Sequence, residues 1–298
     1  MSFGIARGKP MDGGEVGLFA DDLPPMPDDV GTNPRGAWVD PRGWYEKPES
    51  AFEIEIGSGK GTFLVQEAPA HADVNFLGIE WAKEFAVYAM DRLRRNGVRN
   101  VKLLCGDGVE FIRWRVPDGI VRTIHLYFPD PWPKARHHKR RTISDAFLAQ
   151  AHRVLADGGE LRVVTDHAEY WAWMEEHFAR WCGGAGAVGN GRGEKATGGM
   201  EASGIGKASG IGEASGIGHQ ASGGGPMGSE PRASAASPLG GEADASLRRA
   251  SGEGCLRFER LAFTRPASAG EGEVVGTNFE RKYQREGRPF YGAVLKKV

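Results

Sequence analysis

Short apolar runs alternate with amphipathic segments through the first two thirds of the chain, and this alternation predicts its fold. Short apolar runs predict buried strands, and apolar residues spaced three or four positions apart predict helices. The predicted strands are 52–56, 76–80, 101–104, 124–128 and 161–166. Helices are predicted to begin near residue 62 and at 110–114, and to span 81–95, 145–155 and 170–181. Strands that alternate with helices indicate an α/β fold built on a mostly parallel sheet.

The pattern stops after residue 182 and resumes near residue 256. Residues 183–254 are dominated by Gly, Ala and Ser, and 202–219 are three copies of a six-residue unit, ASGIGK, ASGIGE and ASGIGH. One Ile per unit cannot bury a core, so we predict a flexible insertion, with a hexapeptide β-helix as the alternative. Apolar alternation returns at 256–263 and 289–295, which predicts two more strands of the same sheet. A short helical or loop segment is predicted at 277–282.

The N-terminal residues 1–35 are rich in Gly, Pro and Asp and show no periodicity. So few apolar groups cannot offset the entropy of ordering, and we therefore predict a flexible tail. The remainder, residues 36–298, is predicted to be one domain interrupted by the insertion.

Charge and cysteine spacing exclude several classes of protein. The formal net charge is −1 at pH 7, so nucleic-acid binding would have to come from a local basic patch. Cys105, Cys182 and Cys255 lack the spacing of a metal site, which predicts isolated thiols and no metal. No apolar run approaches the roughly 20 residues of a membrane span, and no signal-like segment opens the chain. We expect a soluble, cytoplasmic protein that does not bind membranes.

A glycine-rich turn at 57–61 follows the first predicted strand. Glycines there permit a tight turn and let a ligand approach the backbone closely. A P-loop is excluded because Ile54 and Gly61 stand where that motif needs Gly and Ser or Thr. A dinucleotide fingerprint is excluded because Thr62 stands where it needs Gly or Ala.

Acidic residues recur at or just beyond the ends of the predicted strands: Glu55, Glu80, Asp107, Asp130 and Asp166. Carboxyl ends of parallel strands share one edge of a sheet, where ligands bind in open α/β folds. Glu80 follows the glycine turn by about 20 residues, the spacing of an acid that binds ribose hydroxyls. Asp107 could accept from an adenine amino group. A capping or exposed Glu80 and a plain Asp-Gly turn at Asp107 are the structural alternatives.

The segment 128–141, FPDPWPKARHHKRR, combines an acid, an indole and cations. Pro129 and Pro131 end the preceding strand and hold Asp130 at its carboxyl end. Trp132 and a basic run follow. Together they could hold a flat polar base and its phosphates, and an acidic loop beside a solvated charge run is the alternative.

With these pieces placed, the chain resembles the bacterial tRNA (guanine-N7-)-methyltransferases, S-adenosylmethionine-dependent enzymes with a Rossmann-like class I fold. The resemblance covers roughly 52–181 and 256–297 and is carried by FPDPW-x-K at 128–134, VTD at 164–166 and T-x-FE at 277–280. It implies a mostly parallel sheet with an antiparallel C-terminal strand and helices on both faces. It implies that Asp130 is the active-site residue. The residues implied to bind S-adenosylmethionine are Glu55, Gly57, Gly59, Glu80, Asp107 and Asp130. Those implied to bind the substrate are Lys134, Asp166, Thr277, Asn278, Phe279 and Glu280.

The implied reaction is methyl transfer to N7 of guanosine 46 in the tRNA variable loop, without a metal, by a monomer or small homo-oligomer. Guanine N7 carries a lone pair and no proton, so Asp130 need not act as a base. Our hypothesis is that Asp130 and Asp166 accept hydrogen bonds from the N1–H and amino edge of guanine. Trp132 either packs beside the base or holds the loop. Phosphates would meet Lys134, Arg136, Lys139, Arg140 and Arg141.

Other classes of function fit parts of the sequence. An S-adenosylmethionine enzyme acting on another RNA, a small molecule or a protein would share the glycine turn but leaves the basic run unexplained. A non-catalytic RNA-binding module would keep the fold but would have no need for the acids that match the family, and all of them are present. A nicotinamide-dependent dehydrogenase is excluded because the glycines at 57–61 do not have the spacing of the dinucleotide fingerprint. Three departures from the family, the insertion, the N-terminal segment and Pro133, bear on tRNA docking rather than on methyl transfer.

Overall fold

A single eight-stranded sheet organises the protein. The computed structural model describes residues 11–182 and 258–298. Within these ranges the strands are β1 (Gly17–Phe19), β2 (Ala51–Ile56), β3 (Val74–Glu80), β4 (Val101–Cys105), β5 (Val121–Tyr127), β6 (Leu155–Thr165), β7 (Phe258–Leu261) and β8 (Tyr291–Lys297). Their order across the sheet is β1-β4-β3-β2-β5-β6-β8-β7.

Helices cover both faces of this sheet. They are α1 (Thr62–Ala70), α2 (Lys83–Arg95), α3 (Gly108–Trp114), α4 (Asp145–Val154), α5 (Ala168–Trp181) and α6 (Asn278–Arg285), with short 3-10 helices at Gly14–Val16, Ala20–Asp22, Pro34–Ala37, Pro41–Trp44 and Ala135–Arg140. The apolar sides of α1 and α2 share one core with the sheet, and those of α3, α4 and α5 share the other. None of the helices in the described ranges is long and apolar enough to cross a membrane.

Strand directions confirm the predicted fold class. Strands β1 to β6 pair in parallel, and β8 runs antiparallel to both β6 and β7. Strand β2 lies between β3 and β5, so the chain winds outward in both directions from it. Ligands of open α/β sheets bind at such a switch point, in the crevice beyond the carboxyl ends of the strands. The glycine turn follows β2 and the proline-rich segment follows β5, so both predicted sites lie at this crevice.

The N-terminal segment departs from the prediction of a flexible tail. Residues 17–19 form strand β1, which pairs with β4 and forms the edge of the sheet. Val16 is buried, and Arg94 of α2 donates a hydrogen bond of 2.9 Å to the carbonyl of Asp12. Backbone hydrogen bonds to β4 explain how this segment is ordered with so few apolar side chains. Residues 1–10 of the predicted tail lie outside the described ranges.

The C-terminal strands join the sheet as predicted. Strand β8 pairs with β6, and β7 pairs with β8 at the sheet edge. The segment predicted as a short helix or loop at 277–282 is the helix α6. The predicted insertion at 183–254 lies outside the described residues.

Candidate active site

The glycine turn after β2 has a backbone that only glycine adopts readily. Gly57, Gly59 and Gly61 have φ angles of 79°, 54° and 65°. The carboxylate of Glu80 accepts hydrogen bonds of 2.8 Å from the backbone N–H of Gly59 and from that of Ala82. Glu80 therefore ties the turn to the end of β3, a role that the sequence did not indicate.

A fourth glycine, Gly78 in β3, lets the turn pack against the sheet. A Cβ at this position would lie 2.5 Å from Cδ1 of Leu64 and 2.7 Å from Oγ of Ser58. Because Ser58 belongs to the turn and Leu64 to α1, a side chain at residue 78 would displace both. Sequence reasoning missed Gly78, since its strand pattern shows only a gap in an apolar run.

Glu55 is a buried carboxyl group with an unsatisfied oxygen. Its residue is 4% exposed, and Oε2 has no hydrogen-bond partner among the described residues. Burial, helped by the nearby charge of Glu80 and opposed by a hydrogen bond with Ser58, raises the pKa of Glu55 from 4.5 to about 8. A buried polar oxygen without a hydrogen-bond partner is costly and points to a partner that a bound molecule supplies.

Asp130 lies in a strained loop at the end of β5. Phe128 and Trp132, on either side of it, have φ angles of 53° and 43°, and each precedes a proline. Such backbone costs about 1–3 kcal/mol per residue and is typical of functional sites. Neighbouring protein groups displace water from Asp130 and raise its pKa, although the residue is exposed. Burial is the largest cause of the raised pKa of Glu80, and the charge of Asp130 raises that pKa as well. Glu55, Glu80 and Asp130 thus share one crevice.

Asp107 has a structural role at the same edge. It is the N-cap of α3, where its Oδ1 accepts hydrogen bonds from the backbone N–H groups of Val109, at 2.9 Å, and Glu110, at 3.1 Å. The cap explains the residue in part without a ligand. Contact of Asp107 with a cofactor stays a prediction.

Asp166 lies at the end of β6 in an ion pair that the sequence did not indicate. Its Oδ2 accepts a hydrogen bond of 2.8 Å from Arg288, and its side chain is 12% exposed. The guanidinium of Arg288 lies 4.2 Å from the ring centre of Tyr283. Burial raises the pKa of Tyr283, and the charges of Asp166 and Asp130 raise it further, so both acids lie around this ring.

The motif at 277–280 divides into a structural part and an exposed part. Thr277 caps α6 by accepting from the backbone N–H of Glu280 at 3.2 Å. The carboxylate of Glu280 is fully buried and accepts from the backbone N–H groups of Val274, Val275 and Gly276. The oxygens of Glu280 therefore hold the loop that precedes the helix, and its contact with the substrate stays a prediction.

The other two residues of this motif face the glycine turn and α1. Asn278 donates a hydrogen bond of 2.9 Å to Oγ1 of Thr62. Phe279 is 45% exposed, and its ring edge would lie 3.9 Å from a Cβ at Gly59. The ring of Phe279 therefore lies beside the turn at Gly59.

The basic run also divides into two parts. Lys134, Arg136, Lys139 and Arg140 are exposed. Arg141 is not, since its side chain is 1% exposed and donates to the carbonyl of Pro131 and to Glu169. The expectation that Arg141 meets phosphates is therefore wrong in this structure. The ring of Trp132 contacts His137 and Arg140, at centroid distances of 5.9 and 4.9 Å, so Trp132 packs within the loop.

The site gathers residues that sequence reasoning singled out with others that it missed. Glu55, Glu80 and Asp130 lie together, and Asp166 joins them around Tyr283. The residues missed are Gly78, Glu169, Tyr283 and Arg288; their positions depend on contacts between distant segments, and no local pattern marks them. Within the described ranges, no group of three His, Cys, Asp or Glu side chains is arranged to hold a metal ion.

Comparison with known proteins places this site in a family. A family model described as "Putative methyltransferase" matches residues 49–182. A tRNA (guanine-N(7)-)-methyltransferase of Geobacillus kaustophilus is 36% identical over 167 residues, 56% of this chain and 73% of that protein. The enzyme of the same name from Rhodopseudomonas palustris is 36% identical over 60% of this chain and 70% of its own length. One from Corynebacterium efficiens is 38% identical over 46% and 54%, so the chain spans about half the length of that relative.

Solved structures show more distant likenesses. The tRNA (m1A58) methyltransferase TrmI of Aquifex aeolicus is 18% identical, with a TM-score of 0.33 and coverage of 52% of each chain. The strand order, the antiparallel β8 and the acid-lined crevice define a Rossmann-like α/β protein of the class I methyltransferase type. Within this class, the chain belongs to the tRNA (guanine-N(7)-)-methyltransferase family, as its relatives of 36% identity show.

Proposed function

We propose that this protein transfers the methyl group of S-adenosylmethionine to N7 of guanosine 46 in the tRNA variable loop. The main support for the proposal is the crevice at the ends of β2 and β5. The carboxyl groups of Glu55, Glu80 and Asp130 lie there beside the exposed basic segment that follows Asp130. We place the activity in the cytoplasm and assign it to a monomer or small homo-oligomer. Relatives with this name support the choice of tRNA as substrate.

The residues of the crevice fit S-adenosylmethionine. When bound, it supplies an electrophilic methyl group on a positively charged sulfur. Glu55 offers a buried oxygen that has no hydrogen-bond partner among the described residues, and Glu80 and Asp130 add negative charge that favours a cation. The glycines of the turn at 57–61 let its backbone approach a ligand closely, and the ring of Phe279 lies beside Gly59.

The two acids at the ends of β5 and β6 would read the base. Asp166 uses Oδ2 for Arg288, so its Oδ1 is the oxygen assigned to the guanine edge. Asp130 is exposed beside it and accepts from the same edge. Carboxylates accept the N1–H and amino hydrogens of guanine, whereas adenine presents an unprotonated N1 there. Recognition of this edge aims N7 at the methyl group.

The reaction requires that N7 of guanine be aligned with the methyl group, and it does not require a general base. N7 of guanine already carries a free lone pair, so no proton has to leave before the new bond forms. The purine gains positive charge as N7 is methylated, and the carboxylates of Asp130 and Asp166 stabilise that charge. Catalysis therefore rests on orientation and on electrostatic stabilisation.

The exposed basic residues would bind the tRNA backbone. Lys134, Arg136, Lys139 and Arg140 lie on the segment that follows Asp130, next to the crevice. Phosphate contacts from this segment would deliver the target base, which must leave its stacked position to reach the carboxylates.

Replacement of the base-reading acids tests the proposal. Asp130→Asn and Asp166→Asn should each lower the formation of 7-methylguanosine in bulk tRNA, by about 100-fold or more for Asp130. Asp166→Asn should still bind S-adenosylmethionine with wild-type affinity. Asp157→Asn is the matched control, since Asp157 is exposed near the start of β6, away from the crevice. Methylation at the wild-type rate in Asp166→Asn would exclude base recognition by this residue, and wild-type protein that methylates a different RNA would exclude the tRNA assignment.

A further inference from the structure

Two adjacent arginines in the basic segment have different surroundings. Arg140 is exposed and lies over Trp132, whereas the side chain of Arg141 is 1% exposed. We propose that Arg141 is a positioning residue that holds Asp130 in place, rather than an RNA contact. This inference rests on the proposed function, in which Asp130 orients the guanine.

The loop that carries Asp130 needs support from outside. Prolines at 129, 131 and 133 remove three backbone N–H donors, so few donors remain with which the loop could hold itself together. Phe128 and Trp132 are in left-handed backbone conformations, which cost about 1–3 kcal/mol each. Strained backbone of this kind persists only where surrounding structure over-determines it.

Arg141 supplies that support at the centre of the loop. Its Nε donates a hydrogen bond of 2.9 Å to the carbonyl oxygen of Pro131, the residue directly after Asp130. The other end of the loop is held by the N–H of Phe128, which donates 2.7 Å to the carbonyl of Val164. Asp130 is thus held between two anchors, one on β6 and one on Arg141.

The guanidinium of Arg141 is itself fixed from three directions. Its Nη2 donates 2.7 Å to Oε1 of Glu169, the second residue of α5. The rings of Tyr170 and Trp173, on the same helix, each lie with their centres 5.1 Å from its Cζ. Arg141 therefore connects the loop to α5, a helix that is packed into the core through Tyr170. A lysine cannot reproduce this arrangement, because the planar fork of arginine binds two acceptors and stacks on rings at once.

Loss of this connection would act on the rate rather than on RNA affinity. Without Arg141 the Pro131 carbonyl loses its donor and the strained loop can relax, which moves Asp130. A misplacement of about 1 Å can cost roughly 100-fold in rate. Phosphate contacts made by exposed residues would remain. An arginine that binds phosphate would show the opposite division, with weaker RNA binding at an unchanged maximal rate.

The experiment compares Arg141→Ala and Arg141→Lys with Arg140→Ala. For each variant, the single-turnover rate at saturating S-adenosylmethionine and tRNA is measured, together with the Kd for tRNA across a series of salt concentrations. We expect Arg141→Ala to lose roughly 100-fold in rate with tRNA Kd and salt slope within about twofold of wild type. Arg141→Lys should recover part of the rate, and Arg140→Ala should raise the tRNA Kd and reduce the salt slope.

A direct measurement of the loop is independent of activity. Protein labelled with 5-fluorotryptophan, with the Trp132 resonance assigned from Trp132→Phe, should show a shifted or broadened Trp132 signal in both Arg141 variants. The same signal should be unchanged in Glu259→Gln, the control. If Arg141→Ala does not fold, Arg141→Lys and Glu169→Gln take its place. Glu169 is exposed, and Glu169→Gln should lower the rate less than Arg141→Lys, since the bond to Pro131 remains.

Two outcomes would overturn the inference: wild-type rate in the Arg141 variants, or weaker tRNA binding with a smaller salt slope. A wild-type protein that does not methylate tRNA would instead overturn the proposed function. In that case the fluorine signal of Trp132 would still show whether Arg141 holds the loop.

Discussion

Two glutamates on one strand show how surroundings decide the chemistry of a residue. Glu53 and Glu55 lie two positions apart on β2 and are both buried. Burial alone would raise the pKa of Glu53, but hydrogen bonds from His125 and Arg122 hold it down at about 2. Glu55 has no such cation, and its pKa rises to about 8. Glu53 is therefore a satisfied structural charge, and Glu55 is available to a ligand.

The raised pKa of Glu55 predicts how stability depends on pH. The folded protein holds this proton more tightly than the unfolded chain does. Stability from the neutral carboxyl is therefore complete below its ordinary pKa of 4.5 and is lost as pH rises through about 8. We expect the melting temperature to fall between about pH 5 and pH 9, and Glu55→Gln to flatten this fall by several degrees.

Thermal unfolding followed by circular dichroism across this pH range checks the prediction. Glu259→Gln serves as the control, because Glu259 is an exposed strand residue. Parallel pH curves for wild type and Glu55→Gln would show that Glu55 is ionised in the folded protein.

At the scale of elements, hydrogen bonds connect helix α6 and the residues before it to helix α1. Asn278 donates to Thr62, and Gln66 of α1 donates 2.8 Å to the carbonyl of Gly276. Arg281 donates 3.0 Å back to Gln66. The segment at 277–280 is therefore placed by the helix that the glycine turn begins, although more than 200 residues separate them in sequence.

The packing of turn, helix and strand predicts the effect of a single methyl group. In Gly78→Ala, the new Cβ would approach Leu64 and Ser58 to 2.5 and 2.7 Å, so the turn and α1 must shift. We expect a loss of about 1–3 kcal/mol in the free energy of unfolding. Weaker binding of S-adenosylmethionine should accompany it, because the turn moves.

Urea unfolding and equilibrium binding of S-adenosylmethionine test this effect. Gly43→Ala is the matched control, since a Cβ at residue 43 meets nothing within 4 Å. Unchanged stability and binding in Gly78→Ala would mean that the turn does not depend on close packing against β3.

At the scale of the whole molecule, charge is nearly balanced overall but unevenly distributed. The net charge is −1, yet four exposed cations lie within seven residues after the acidic crevice, at 134, 136, 139 and 140. We expect this segment to contribute to the binding of a polyanion, and that binding should weaken with salt.

Removal of these cations should reduce both affinity and salt dependence. For every phosphate that a variant no longer neutralises, the slope of log K against log salt falls by about 0.7 to 0.9. For Arg136→Ala combined with Lys139→Ala we expect weaker tRNA binding and a clearly smaller slope, measured by filter binding across a salt series. Lys47→Ala is the control, because Lys47 is exposed before the start of β2, at the opposite edge of the sheet. An unchanged slope in the double variant would assign this segment to a solvated face.

The sequence by itself determined the fold class and the location of the crevice. Alternating apolar and amphipathic segments require a layered α/β sheet, and the glycines and acids at strand ends then fall at one edge. Local chemistry such as the glycine turn at 57–61 and the proline-ended strand before Asp130 is visible because it depends on neighbours in sequence.

Only the tertiary structure decided what individual polar residues do. Arg140 and Arg141 are adjacent and identical in type, yet one is exposed and the other is buried against α5. Glu280 sits in a motif that suggests substrate contact, but its carboxylate holds three backbone amides. The physical reason is that burial and hydrogen-bond partners come from segments far apart along the chain, which local sequence does not encode.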